Sequence, residues 1–303
     1  MSEGEPLISD GVTEGIVRIG DTVRRPLRPF SLTVQAYLAH LRDVGFTGAP
    51  LPLGVDEQGR EMLSFVSGDV PRWPLPPEMT SDEVLVALAR LVRALHEASA
   101  GWVPPPGAVW GGTPANPGRV AGSAQLVSHR DYALGNVVFR GGLPAALIDF
   151  DLAMPTTRLY DIVNALWFWA PLRDPRDRSP VLADADIPHR VAVFADAYGM
   201  TARQRAGLAP LAVDVVRRYH QDSRRSADLD PVWRKLWEGG GSVGIPAKVY
   251  LPRAEAWVRE MAPAITDRLV AKSGLSAFFG SCRAVAWFFA SSGTGRHVFL
   301  MVR

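Results

Sequence analysis

The chain has 303 residues, 47% of them hydrophobic and 21% charged, which is ordinary globular composition and enough length for two lobes. A net charge of +2 gives no electrostatic case for a nucleic-acid partner, and one cysteine, Cys282, excludes an internal disulfide or a multi-cysteine zinc site. The basic character is almost wholly arginine: the first lysine is Lys235, followed only by Lys248 and Lys272.

In chain order, the acidic, polar start MSEGEPLISDG lacks the basic end and apolar core of a signal peptide, so the expected compartment is the cytoplasm. Leu7-Ile8, Ile16–Ile19 and Thr22–Arg25 are three short strand candidates. The first two are joined by DGVTEG, whose Gly11 and Gly15 would let backbone N–H groups approach phosphates; an ordinary hairpin turn reads equally well there. Ser31 is placed as the N-cap of a helix to about Arg42, with Leu32, Leu38 and Leu41 among its apolar positions. Pro50–Gly54 and Arg60–Val66 are the next two strands. The prolines of VPRWPLPPEM then mark a linker into a helical part.

Thr80-Ser-Asp-Glu83 has the form of a capping box, and Val84, Leu85, Leu88, Leu91, Val92 and Leu95 follow at helical spacing. His96 on this helix is read as a core-edge histidine. Further helices are expected over 158–170, 189–198, 206–225 and 247–271. From Ser273 the chain is apolar and interrupted by glycine and serine. Its longest apolar run, Leu275 to Ala290, is shorter than the roughly 20 residues of a membrane span and contains Arg283, so no membrane association is expected. A docked element, a partner-binding segment and an extension without fixed structure stay open for this tail.

Between these helices lies the stretch with the chemistry, LVSHRDYALGNVVFRGGLPAALIDFD, residues 126–151. His129-Arg130-Asp131 precede Asn136 on a loop. Asn136–Arg140 and Ala145–Ile148 read as two strands closed by Gly141-Gly142, and Asp149 emerges at the end of the second. A carboxylate and an amide oxygen can share a Mg²⁺ with substrate phosphates, and a second carboxylate is then free to take a hydroxyl proton.

The spacing H-R-D-x-x-x-x-N, followed by a hairpin and Asp-Phe, resembles the catalytic and metal loops of the kinase superfamily. IDFDLAMPTTRLYDIVNALW looks more closely like the aminoglycoside phosphotransferase-like branch of small-molecule kinases. The branch usually has Gly in place of Arg130 and Pro in place of Leu134; neither change removes a reacting group.

The resemblance implies an α+β, bilobal protein-kinase-like fold. A β-rich nucleotide lobe would span 1–68, a hinge 69–79, a catalytic and acceptor lobe 80–272, and an apolar tail 273–303. It implies ATP or GTP with Mg²⁺, a small hydroxylated acceptor, Asp131 as base, Asn136 and Asp149 as metal ligands, His129 packed under the loop and Asp161 bracing it. Backbone groups near Phe65 and Val66 would meet the adenine. The usual lysine falls on Arg24, with Arg25 the neighbouring choice, and Val34 or Gln35 stands where the helix glutamate belongs. Arg24 therefore reads either as a phosphate-binding substitute or as a solvated strand arginine.

The leading expectation is a small-molecule kinase. The alternative is a nucleotide- or ligand-binding pseudokinase, favoured by the missing lysine and glutamate. A protein kinase fits less well, because no Ala-Pro-Glu follows Asp149 and the Tyr160-Asp161 helix begins at once. The excess of arginine over carboxylates between Thr201 and Glu260 points away from a polycationic acceptor and toward a neutral or weakly charged hydroxyl compound.

Overall fold

The computed structural model describes residues 5–7, 15–116, 123–240 and 244–281. Gly11 and the tail past Ser281 lie outside these residues. The N-terminal part is an antiparallel sheet of β1 (Glu5–Pro6), β2 (Val17–Ile19), β3 (Thr22–Pro26), β4 (Pro52–Val55) and β5 (Arg60–Ser64), in the order β1-β2-β3-β5-β4. Between β3 and β4 runs α1 (Ser31–Asp43). Its buried face is Val34, Tyr37, Leu38 and Leu41, one helical stripe. Leu32, apolar but off this stripe, is 63% exposed. The expected N-cap also moves: Phe30 caps the helix without a side-chain bond, and Ser31 turns its hydroxyl to buried Glu61 instead.

The rest is mostly helical, built on α2 (Asp82–Ser99). Ser81, one residue after the expected position, caps it by accepting from the Val84 amide. Val84, Leu85, Leu88, Val92 and Leu95 are each 1% exposed or less, each such side chain contributing about 1.5–3 kcal/mol by leaving water. Tyr37 of α1 reaches across and donates to the Val127 carbonyl at 3.0 Å, tying the first lobe's helix to the second lobe.

Two small ladders carry the loops of interest. β6 (Leu126–Ser128) pairs with β9 (Met154–Thr156), and β7 (Val137–Arg140) pairs with β8 (Leu143–Leu147) through Gly141-Gly142, both at positive φ as a tight turn requires. The linker is fastened to this hairpin by reciprocal backbone bonds between Asp69 and Phe139 at 3.0 and 2.7 Å. Gly68 lies so close to β7 that a Cβ would fall 2.4 Å from the Phe139 carbonyl oxygen.

Helices α3 (Arg158–Trp169), α4 (Ile187–Tyr198), α5 (Ala202–Leu229), α6 (Pro231–Gly239) and α7 (Ala247–Ser281) complete the second lobe. The short α6, capped by Asp230, was not expected from the sequence, and α7 runs on past Lys272. Among the described residues no helix is long and apolar enough to cross a membrane.

Candidate active site

The loop between β6 and β7 carries His129, Arg130, Asp131 and Asn136, and its shape is imposed from α3. Asp161, in the first turn of that helix, is fully buried and accepts four hydrogen bonds. His96 Nε2 and Ser128 Oγ lie at 2.8 Å, the Arg130 amide at 3.1 Å, and the Tyr132 hydroxyl is the fourth donor. Burial alone would raise its pKa, but bonding to His96, Tyr132 and Ser128 wins and holds it below the usual carboxylate range. Asn164, one turn further on, accepts from the Tyr132 amide at 3.2 Å, and Trp169 donates to the Tyr132 carbonyl at 2.8 Å. Three residues of one helix thus clamp the loop.

His129 lies beneath it, fully buried against Phe150 at 4.4 Å between ring centres. Its Nε2 lies 2.8 Å from the Ile148 carbonyl oxygen and its Nδ1 accepts from the Asp131 amide at 3.2 Å. These partners fix the neutral Nε2–H form, and burial lowers the pKa in agreement. Arg130 takes φ 62°, the left-handed region where the resembled kinases place glycine; its guanidinium stacks 4.7 Å over Tyr160.

Asp131 is oriented by Asn136, whose Nδ2 donates to the Asp131 carboxylate at 2.9 Å and to its backbone carbonyl at 3.2 Å. Burial first, then nearby Asp149, pushes the Asp131 carboxyl up to about 7. Because Asn136 turns its nitrogen inward, its Oδ1 is left for a cation. The Asn136 carbonyl accepts from the Ile148 amide at 2.9 Å, which sets Asn136 beside Asp149. Asp149 itself is left-handed at φ 62° with its side chain 46% exposed. A hard-oxygen donor pair, one carboxylate and one amide oxygen, fits Mg²⁺ shared with phosphates.

The cation opposite these groups is Arg25 and not Arg24. Alternation along β3 sends neighbouring side chains to opposite faces. Arg24 faces Asp56 at 3.5 Å, whereas Arg25, 8% exposed at its side chain, reaches Asp149 at 3.3 Å and Asp151 at 2.7 Å. Its second departure from the expectation is the partner. Glu61 on β5 lies directly across the ladder from Arg25 and binds its Nε at 2.6 Å. From α1, Ser31 and Gln35 donate to that carboxylate at 3.2 and 3.3 Å. The helix thus supplies hydrogen bonds, and the charge comes from the strand. Burial opposes the Arg25 charge, but Asp151, Glu61 and Asp149 more than offset it and raise its pKa. Asp151, overlooked in the sequence although IDFD presents it, is pushed up by burial and by Asp149 beside it.

Gly15 is exposed at φ 79°, two residues before β2. The Phe65 amide is already used, donating to the Asp21 carbonyl at 2.8 Å because the β3–β5 pairing continues through it, so this amide cannot serve an adenine. Its ring lies 3.8 Å under Arg18. Val66 follows, half-buried, one residue beyond that pairing.

Comparison with known proteins adds to this geometry. The model of a family described as "Phosphotransferase enzyme family" matches residues 108–206, which include the clamped loop and α3. Over 245 residues the chain is 31% identical to a trifolitoxin immunity protein of Rhizobium leguminosarum bv. trifolii, covering 77% of this chain and 91% of the relative. The fold is shared with a choline/ethanolamine kinase family protein from Mesorhizobium loti, at TM-score 0.57 and 15% identity over 89% of this chain and 92% of that one. A choline kinase from Cryptosporidium parvum Iowa II gives TM-score 0.54 at 10% identity, with the same coverage.

Proposed function

The chain belongs to the phosphotransferase enzyme family, and from that premise we propose that it is a small-molecule kinase moving the γ-phosphoryl group of ATP or GTP to a hydroxyl. The observation that carries the reading is the pairing of a clamped carboxylate, Asp131, with a second, exposed carboxylate, Asp149, that an arginine faces.

In the reaction the acceptor oxygen forms a bond to the γ-phosphorus while the bond from that phosphorus to the bridging oxygen breaks, and the nucleoside diphosphate leaves. Asp131 takes the acceptor's proton. With its carboxyl pushed up by burial and by Asp149, it is a stronger base than an ordinary aspartate. Asn136 aims that carboxylate by holding one of its oxygens. Asp149 and the Asn136 Oδ1 would hold Mg²⁺, whose charge offsets that of the transferring phosphoryl group when it is bound. Arg25 supplies permanent positive charge for phosphate oxygens, and its planar fork suits them. His129 and Asp161 act through the loop, fixing where Asp131 stands.

The test is a panel of hydroxylated metabolites and antibiotics incubated with ATP or GTP and Mg²⁺, with phosphate transfer read directly. Transfer to a panel member that disappears in Asp131→Asn supports the assignment, and transfer that survives refutes it.

A second reading is favoured by the 31% identity with an immunity protein: the chain protects a cell against a toxin by binding it, as a pseudokinase. The two separate on Asp131→Asn. A binder keeps its protection in that variant, and a kinase loses it.

A further inference from the structure

Beside the clamped loop lies a cavity of about 90 Å³ that no step above uses. Ala133, Leu134 and Gly135, just past Asp131, form one wall, and Trp73 of the linker and Phe168 of α3 add apolar surface. Two arginines close it, Arg173 and Arg178, only 5% and 7% exposed.

Buried guanidinium groups are costly unless paired. Neither of these has a carboxylate within ion-pair distance among the described residues. Arg173 donates Nη2 to the Trp167 carbonyl at 3.1 Å and stacks 4.4 Å over the Trp167 ring, while its buried Nε has no hydrogen-bond partner. Arg178 spends Nε on the Arg173 carbonyl and Nη1 on the Ala183 carbonyl, and lies 4.7 Å over Trp257.

The nearby carboxylates are engaged elsewhere. Asp177 is bound by both Nε and Nη2 of Arg253, and Asp174 is bound by Arg176 at 2.8 Å. At longer range Asp174 and then Asp184 act on Arg178, and Tyr250 and Asp177 act on Arg173, but burial outweighs them at both. The pocket therefore holds two buried positive charges with weak compensation, next to the loop that carries the base.

We propose that this pocket receives a compact oxyanion, a carboxylate or a phosphate, and that the acceptor of the kinase is accordingly an anionic hydroxyl compound seated by Arg173 and Arg178. The inference rests on the kinase reading for the word acceptor, but not for the anion subsite itself. It departs from the neutral or weakly charged acceptor that overall charge balance in the helices pointed to, because bulk charge on helix faces does not report what is buried at one pocket.

The test uses the full-length protein and three four-carbon probes, anionic butyrate, its neutral isostere butyramide and cationic butylamine, with methyl phosphate as the phosphate arm, all read by ligand-observed NMR. Butyrate binding about tenfold or more tighter than the amide, with the amine weakest, is expected. Methyl phosphate binding tighter than butyrate marks a phosphate-bearing acceptor, and the reverse order marks a carboxylate. Arg173→Met should abolish the preference, and Arg173→Lys should retain part of it.

Equal binding of butyrate and butyramide to the wild-type protein overturns the proposal without any variant, so a poorly folded Arg173→Met does not shelter it. So does anion binding that persists in Arg173→Met and vanishes in Arg25→Ala, which would place the anion at the phosphate site. Failure of the kinase reading looks different: selective butyrate binding lost in Arg173→Met, with no hydroxyl compound phosphorylated. Efficient phosphorylation of neutral or cationic acceptors, with KM indifferent to Arg173→Met, would keep the kinase and remove the anion subsite.

Discussion

On the loop side of the cleft one carboxylate, Asp161, is held by a histidine, two hydroxyls and the Arg130 backbone amide, and among the described residues no guanidinium or ammonium group pairs with it. On the strand side the charge of Arg25 is held by three carboxylates, Glu61, Asp149 and Asp151. The loop side is a hydrogen-bond scaffold whose worth is geometric: the Arg130 amide fixes the backbone next to Asp131, and the Ser128 and Tyr132 hydroxyls fix the residues on either side. The strand side is a charge reservoir, in which the guanidinium is poised between the buried Glu61 and the exposed Asp149. Substitutions should accordingly damage the two sides in different currencies: rate and stability on the first, nucleotide affinity on the second.

The largest effect is expected at Asp131, where Asn keeps the shape and removes the base. Turnover should fall by about 10²–10⁴, the usual range for a lost general base, with nucleotide affinity within a few-fold of wild type. Rapid-quench turnover beside equilibrium nucleotide binding measures both, and turnover near wild type would dissolve the assigned division of labour.

Next comes Asp161→Asn. Its four donors lose an ionised acceptor in a fully buried place, so a loss of about 3–5 kcal/mol in stability should accompany inactivity. The pH dependence has a definite sign. The folded Asp161 carboxyl titrates below its ordinary value of 3.8, so its contribution is complete above that pH and is lost as pH falls through the folded value. Denaturant melts of both proteins should therefore differ by a constant amount at neutral pH and converge toward acid. A constant gap down to pH 2 would show that the carboxylate is not what stabilises the loop.

How much of this was readable follows the same division. Asp131, Asn136 and Asp149 are linked by short offsets through a loop and one hairpin, and a short offset nearly fixes the geometry; the structure brings all three together. Which of Arg24 and Arg25 faces the cleft depends on the phase of β3, and two adjacent arginines with no apolar alternation around them carry no phase. Glu61 was invisible for a related reason. Its pairing with Arg25 is a matter of cross-strand register between segments 36 residues apart, which no local pattern encodes. His96 reads as a core-edge residue in the sequence because helical spacing gives its face but not its partner, Asp161.

The strand side supplies the third test. Arg25→Ala should weaken ATP far more than adenosine, because the contact is to phosphate, while Arg24→Ala should leave both almost unchanged. Arg25→Ala also strands buried Glu61, so Arg25→Lys is the cleaner variant; it keeps the charge, loses the fork, and should cost affinity for ATP by about tenfold. Equal losses at Arg24 and Arg25, by titration with both ligands, would mean the face of β3 does not decide the contact.

The smallest effect sharpens the loop side alone. Arg130 stands at φ 62° with a side chain that stacks on Tyr160 at 4.7 Å. A non-glycine residue there costs about 1–2 kcal/mol relative to one free to adopt that region. The stacking returns about 0.5–1 kcal/mol. Arg130→Gly removes both and adds the greater entropy of an unfolded glycine, about 0.5–1 kcal/mol, so its net change should be close to zero. Arg130→Ala removes the stacking and keeps the strain, so it should be the less stable of the two by several tenths of a kcal/mol or more. Thermal melts of the three proteins decide the matter by order alone. If Ala and Gly melt together, backbone strain at 130 is not what the glycine of the resembled kinases relieves. If both melt far below wild type, the contact of Arg130 with Tyr160 is worth more than an exposed cation–π pair and belongs with the bonds of Asp161 among the clamps on the loop.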